Sequence, residues 1–482
     1  MIRKTAPARA ELGVHADVPT VVAVAGPPAL LLSSFDLTPL GYTTHEFFLS
    51  GRASFYRLSD APTPDGFWNA VPAETAPYAT RIVVVRPTDP QKFNGTVVVE
   101  WLNVSSGADG APDWNAAHRE IIRNGYAYVG VSAQKVGVEG GHSLVAIGTP
   151  LKKADPVRYG SLSHPGDSFS YDIFSQVGGL LRVPHASKVL GPLMPERVIA
   201  VGESQSASFL TTYVNVVDPL AKLYDGFLIH SRFGSAASLE NASMVPSTGQ
   251  PSVVKLRADL RAPVIIVITE TDLLDGRIPG FHGARQPDNE RLRVWEIAGT
   301  SHADTYTFTV GFIDSGLAPL EKLAAGYEPT ANILGSDLAK FANNAPQHHY
   351  VVEAALWNLD CWIRTGQAPP EAAPIKLSKG DASSFVLDAN GLAEGGVRTP
   401  WVDVPTARLS GVGNSGGPLG FMVGVCEPFD AATLDRLYPG GKSVYMKKFE
   451  VSLASAIEAG FILPADKQEI LDLAAIAYRG SQ

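Results

Sequence analysis

From about residue 80 to about residue 300 the chain alternates short, near-continuously apolar runs with stretches of helical periodicity. The runs are Arg81–Arg86, Thr96–Glu100, Tyr126–Val131, Arg197–Val201, Phe227–His230, Pro263–Ile268 and Leu292–Ile297. A strand with one wet face alternates apolar and polar residues, whereas a strand apolar throughout must be covered on both faces. That requirement predicts an α/β fold: a mostly parallel central sheet flanked by helices. The cover comes from helical patterns at Trp114–Asn124, Ser168–Leu181 and Gln205–Val217. His45–Arg57 alternates instead, which predicts an antiparallel edge strand preceding the main sheet.

Beyond residue 303 the pattern changes. Val351–Arg364 reads as an amphipathic helix that Gln367-Ala368-Pro369-Pro370 ends abruptly. Residues 371–440 are rich in Gly and Pro with weak periodicity, and helical patterns return at Ser452–Ala459 and Asp466–Tyr478. The expected division is a core over 1–370, with N-terminal strands and a helical insertion near 150–190, and a C-terminal extension over 371–482 that packs on the core or caps the site. At 482 residues, 45% hydrophobic and 18% charged, the chain can bury a large core.

A formal net charge of -9, with no block of five or more Lys/Arg, offers nothing to neutralise a phosphate backbone or an anionic lipid surface, which excludes nucleic acid as a partner. Two cysteines, Cys361 and Cys426, build neither a disulfide framework nor a Cys-based metal site, and both read as buried small residues. Arg3, Lys4 and Arg9 are followed by Glu11 and Asp17, and the apolar run Val21–Leu32 is interrupted by Gly26, Pro27 and Pro28. That is neither a signal peptide nor a membrane span, so no membrane insertion is expected and a cytoplasmic location is the default.

The chemistry concentrates at Gly202-Glu203-Ser204-Gln205-Ser206-Ala207, directly after the run Arg197–Val201 and before a helical pattern. A serine hydroxyl is a poor nucleophile unless it is held exposed on a strained strand-to-helix turn beside a base, and this arrangement does that. Ser204 is the candidate nucleophile. The base candidate is His302, on a small-residue loop after Leu292–Ile297. The acid candidate is Asp272, after Pro263–Ile268, with Glu270 as its alternative. Nucleophile, acid and base then sit at strand ends in that chain order, with room for a strand and a crossover helix in each interval. For a developing oxyanion the expected donors are the backbone N–H groups of Gln205 and Asn103, with Leu102 or Val104 as alternatives to Asn103. Trp101, Phe174 and Tyr306 are candidate walls of an apolar substrate pocket, with core packing the equal alternative. The scheme needs no cofactor and no metal.

At these residues the chain resembles the α/β-hydrolase superfamily. More closely, it is similar to the bacterial alpha/beta hydrolase domain family. The segments carrying that likeness are Gly41-Tyr42 through Gly51, Asp155 to Gly160, His164-Pro165-Gly166-Asp167, Tyr171 to Gln176, the Gly202–Ala207 elbow, and Trp362 with Pro369-Pro370. The resemblance implies the fold of a carboxylic-ester hydrolase and a Ser-Asp/Glu-His triad, with no particular substrate. On the candidate residues the expected reaction is hydrolysis of a small-molecule carboxylic ester through an acyl-enzyme on Ser204. Acyl transfer, lactone or amide cleavage on the same triad, or a non-catalytic ligand-binding relative, are the alternatives. Two departures stand out: the elbow's fifth position is Ser206 rather than glycine, and no His-Gly-Gly-Gly oxyanion loop is present.

Other motifs carry bland readings. Gly413-Asn414-Ser415-Gly416-Gly417-Pro418 looks like a chymotrypsin-fold active-site string, but that fold needs two all-β barrels and an upstream histidine and aspartate, in that order. Gly411-x-Gly413-x-x-Gly416 lacks the following helix and acidic residue of a dinucleotide site. His348-His349 has no third ligand at metal spacing and reads as a solvent or capping pair. Glu203 is expected to make a structural hydrogen bond, with shaping of the pocket the alternative, and Asp167 and Arg158 structural ion pairs, with lining of the site the alternative.

Overall fold

The computed structural model describes residues 18–145, 147–182, 184–240, 250–378 and 381–480. The N-terminal charge pattern read from Arg3 to Asp17 lies outside the described residues.

A nine-stranded sheet runs through the molecule in the order β1-β2-β3-β5-β4-β6-β7-β8-β9. Its strands are β1 (Thr20–Val24), β2 (Tyr42–Leu58), β3 (Ala70–Pro87), β4 (Thr96–Trp101), β5 (Ala127–Val131), β6 (Arg197–Glu203), β7 (Gly226–His230), β8 (Val264–Thr269) and β9 (Leu292–Ile297). The strands from β5 to β9 pair in parallel. The first three form an antiparallel flank that joins the rest through β3 and β5. The predicted edge strand at His45–Arg57 is therefore not an edge: β1 pairs along it from Thr20↔Ser50 to Val24↔Glu46 and takes the outer position.

The helices that matter for the site are α1 (Pro112–Arg123), α2 (Ser170–Leu180), α3 (Gln205–Thr212), α4 (Gln347–Thr365), α5 (Gly441–Glu458) and α6 (Lys467–Ala477). The pattern predicted as one helix over Gln205–Val217 is α3 followed by a π-helical turn, Tyr213–Val217. Alternation along each strand sorts the core into two layers. Val97, Val99 and Trp101 join the cluster under α2 and α3, while Val98 and Leu102 join the cluster under α1 and α4. Cys426 is buried, whereas Cys361 is only half-buried, beside Arg364, because it lies near the end of α4.

The segment after residue 370 covers the free edge of β9. Val397 bridges Ile297 in parallel, its N–H donates to Glu296 O at 2.6 Å, and Ile375 N donates to Glu296 Oε2 at 2.7 Å. Capping an edge in this way satisfies backbone groups that would otherwise invite foreign strands. A hairpin, β10 (Ala407–Ser410) with β11 (Val425–Pro428), lies over the loops beyond β8 and β9. Helices α5 and α6 bury their own apolar cluster, Phe449, Leu453 and Ile470 among it, against Tyr350 of α4. Among the described residues no helix is long and apolar enough to cross a membrane.

Candidate active site

The parallel strands deliver their carboxyl ends to one rim, and the order β5-β4-β6 makes that rim a point where chain direction across the sheet reverses, the usual place for a ligand crevice in open α/β sheets. β6 ends at Glu203, and Ser204 turns the chain into α3 with φ 58° and ψ -116°, a left-handed conformation that a non-glycine residue adopts only under constraint. The turn is held by Ser204 N donating to His230 O at 2.9 Å and by Ser208 N donating to Ser204 O at 3.2 Å. It also needs close approach of strand and helix. A Cβ on Gly202 would lie 3.2 Å from the Ser206 carbonyl, so the glycine that matters here precedes the serine. Ser206 itself is fully buried with no hydrogen-bond partner for its hydroxyl among the described residues, the cost of departing from glycine at that position.

His302 stands on the loop after β9. Its Nε2 lies 2.8 Å from Ser204 Oγ and its Nδ1 2.5 Å from Asp272 Oδ1. The loop is fixed by His302 N donating to Thr271 Oγ1 at 3.0 Å. Asp272 is fully buried, and its Oδ2 accepts from Thr269 N at 2.9 Å and from Thr269 Oγ1 at 2.8 Å. Burial alone would raise the Asp272 carboxyl, but His302 and the two Thr269 donors reverse this and hold it below its usual range. For His302 burial opposes the charged form, and the neighbouring Asp272, with Glu203 adding to it, wins and pushes the imidazole up to about 9. Glu270, the alternative acid, is committed elsewhere: it accepts from Gly299 N at 2.6 Å, and from Ser410 Oγ and Gly411 N at 2.9 Å each, tying the histidine loop to β10.

Packing corrects two sequence expectations, the Asn103 donor and the histidine pair, and decides a third that was open, the place of Trp101 and Phe174. The Asn103 N–H donates to Gly110 O at 2.9 Å in an isolated bridge, so it is not free to meet an oxyanion. The neighbouring Val104 N–H lies beside the nucleophile turn, 3.5 Å from Gln205 Oε1, a long contact that a stronger acceptor can displace. Trp101 and Phe174 are core residues: strand alternation sends Trp101 under the sheet, where its ring centroid lies 4.8 Å from Phe174 and 5.3 Å from Phe209, while Phe174 stacks on Tyr224 at 4.9 Å. The His348-His349 pair is neither solvent-facing nor capping. α4 begins at Gln347 and buries both rings. His348 Nε2 meets His230 Nε2 at 2.8 Å, and His349 stacks on Tyr306 with centroids 3.7 Å apart.

The remaining placements are simpler. Tyr306 is buried against His349, beside a small cavity that also touches His302 and Glu203. Arg158 pairs with Glu46, as an ion-pair role requires, while Asp167 accepts from Lys135 N at 2.5 Å and from Gln134 Nε2 at 3.4 Å. Sequence reasoning missed His230, whose Nδ1 meets Asp113 Oδ1 at 2.9 Å, and Phe233, whose ring lies 5.3 Å from that of His302. A signal existed for the first, since a histidine ends the otherwise apolar run Phe227–His230 at the rim where the other strand ends carry chemistry.

The fold and the strand-end constellation define a hydrolase-class α/β protein. The chain belongs to the alpha/beta hydrolase domain family, whose match spans residues 12–472. Solved structures to which it is similar include a Klebsiella pneumoniae protein described as a candidate dienelactone hydrolase, at 11% identity over 58% of this chain and 95% of that one, TM-score 0.30. They also include an acetyl xylan esterase of a Thermoanaerobacterium species, at 10% identity over 57% and 81%, TM-score 0.29. A third is an esterase of Pseudomonas putida, at 12% identity over 49% and 66%, TM-score 0.28. At these scores the likeness adds nothing to the family assignment. Comparison with curated proteins finds no match.

Proposed function

We propose that this chain is a serine esterase, cleaving small-molecule carboxylic esters through an acyl-enzyme on Ser204. The observation that carries the reading is the continuous hydrogen-bonded chain from Ser204 Oγ through His302 to Asp272, at 2.8 and 2.5 Å. Ser204 Oγ attacks the ester carbonyl as His302 Nε2 takes its proton, and the imidazolium gives that proton to the leaving alcohol. Asp272 fixes the ring orientation and stabilises the imidazolium without itself taking the proton. The oxyanion is received by the Gln205 N–H, one of the first-turn donors of α3 that has no intrahelical acceptor, and by the Val104 N–H in place of Asn103. Each such donor is worth on the order of 3 kcal/mol in the transition state.

Ser204→Ala is expected to abolish hydrolysis of p-nitrophenyl acetate and labelling by a fluorophosphonate probe while leaving the thermal unfolding transition in place. Ester hydrolysis that survives the substitution overturns the reading. The probe also separates an enzyme from a non-catalytic ligand-binding relative, because a serine without an activating base does not react.

A further inference from the structure

Glu203, directly before the nucleophile, has no part in the acylation step described above, yet it is buried against the base. Its Oε1 lies 3.5 Å from His302 Nε2, and its Oε2 accepts from Asn103 Nδ2 at 3.2 Å. Ser204 Oγ, at 2.8 Å, and Glu203 thus both reach the same ring nitrogen. Between Glu203 and α1 is a cavity of about 20 Å³, lined among others by Asn115, Ala116, His302, Asp304 and Thr307. A water needs roughly 10–15 Å³ and two to four polar partners, so the space fits one water. Two of its lining side chains leave a buried polar atom with no protein partner among the described residues, Asn115 Oδ1 and His349 Nε2.

We propose that Glu203 is a positioning residue for the second half-reaction, holding the hydrolytic water in this cavity against His302. The inference rests on the acyl-enzyme reading. Once the alcohol has left, the water oxygen bonds to the acyl carbon as one of its protons passes to His302 Nε2. The bond between that carbon and Ser204 Oγ then breaks, its electron pair returns to Oγ, the Nε2 proton follows, and the carboxylic acid departs. Glu203 bonds the water's remaining hydrogen, and when ionised it also favours the imidazolium. Burial pushes its carboxyl up to about 8, with Asp113 and Asp272 raising it further and His302 and His348 pulling it back. His230, Asp304, Tyr306 and His349 are the other titratable groups bordering the cavity.

The test compares p-nitrophenol release in its first turnover with the steady state. Glu203→Gln is expected to retain a burst approaching one equivalent per site while steady-state turnover falls roughly tenfold to hundredfold. The rising limb of the pH profile should also move to lower pH, because the base loses an anionic neighbour. Ala116→Val fills the cavity with Glu203 in place and should slow the same phase. A folded Glu203→Gln whose burst, turnover and pH limb match wild type overturns the inference. If that variant does not fold, Ala116→Val decides, and unchanged turnover overturns it. Turnover surviving in Ser204→Ala sinks the parent reading instead, whereas an inert Ser204→Ala beside two wild-type-like variants sinks only the water assignment.

Discussion

The 2.5 Å contact between His302 Nδ1 and Asp272 sets the pH at which the proposed base is free. A general base works only unprotonated, and with its folded value pushed up to about 9 His302 is mostly charged at neutrality. The expected profile of kcat/KM therefore climbs from pH 7 with a midpoint near 9, and a profile flat from pH 7 to 10 in wild type contradicts the assignment. Two carboxylates in one short turn should respond differently to neutralisation. Asp272→Asn should lower kcat on the order of 10⁴-fold with little loss of stability, since it favours the wrong tautomer. Glu270→Gln turns an acceptor of three donors into a mixed group, so it should cost about 1–3 kcal/mol in a denaturant melt and leave the pH midpoint unmoved. Sequence alone left these two carboxylates open, because both follow the same strand and only the hydrogen bonds separate their tasks. That Ser204, Asp272 and His302 would meet at one rim was legible because each follows an apolar strand by a few residues. Trp101, Phe174 and the Asn103 amide were not, because their roles depend on which face or which partner a residue finds, and Gly110 is invisible as a partner until the loop is folded.

Among elements, the β10–β11 hairpin does more than its Gly-rich composition announced. Gly411 follows β10 and packs against the histidine loop: a Cβ there would fall 2.6 Å from both Glu270 Cβ and Thr271 N and would overlap Thr300 O. Backbone is not free to yield, so Gly411→Ala should displace the hairpin, lowering Tm by several degrees and reducing kcat together with it, read by parallel melts and ester assays. The strands of the parallel region could be read from the sequence to within a residue or two, since burial on both faces writes itself as unbroken apolar runs. β1 escaped because a short edge strand before a Gly-Pro-Pro segment carries no such mark; its burial alternates only weakly. The burial of His348 and His349 escaped for a related reason. Helix periodicity orders the residues of α4, but only the packing of its first turn against β7 and α1 tells which polar groups are drawn inside.

Taken whole, the molecule does not part at residue 370. Val397 bridges the edge of β9, Ile375 N donates to the Glu296 side chain beside it, and Tyr350 of α4 is enclosed by the apolar cluster of α5 and α6. Deleting 371–482 should therefore expose both the β9 edge and that cluster, giving a chain without a cooperative thermal transition and without esterase activity; a soluble, active truncation would show that the extension is an accessory. The fold class was open to inspection in the sequence, while the particular edge and loops the extension packs on were not, because weakly periodic Gly/Pro segments take their shape from what they cover. The clamp that Glu270 makes between Gly299 and Gly411 then bears on synthesis. Chains leave the ribosome amino end first, so the nucleophile turn and its aspartate are exposed to the cell before the stretch that steadies the histidine has been translated. On the proposed mechanism, a nascent chain is therefore expected to hold Ser204 beside an unsteadied histidine until the segment around Gly411 has emerged.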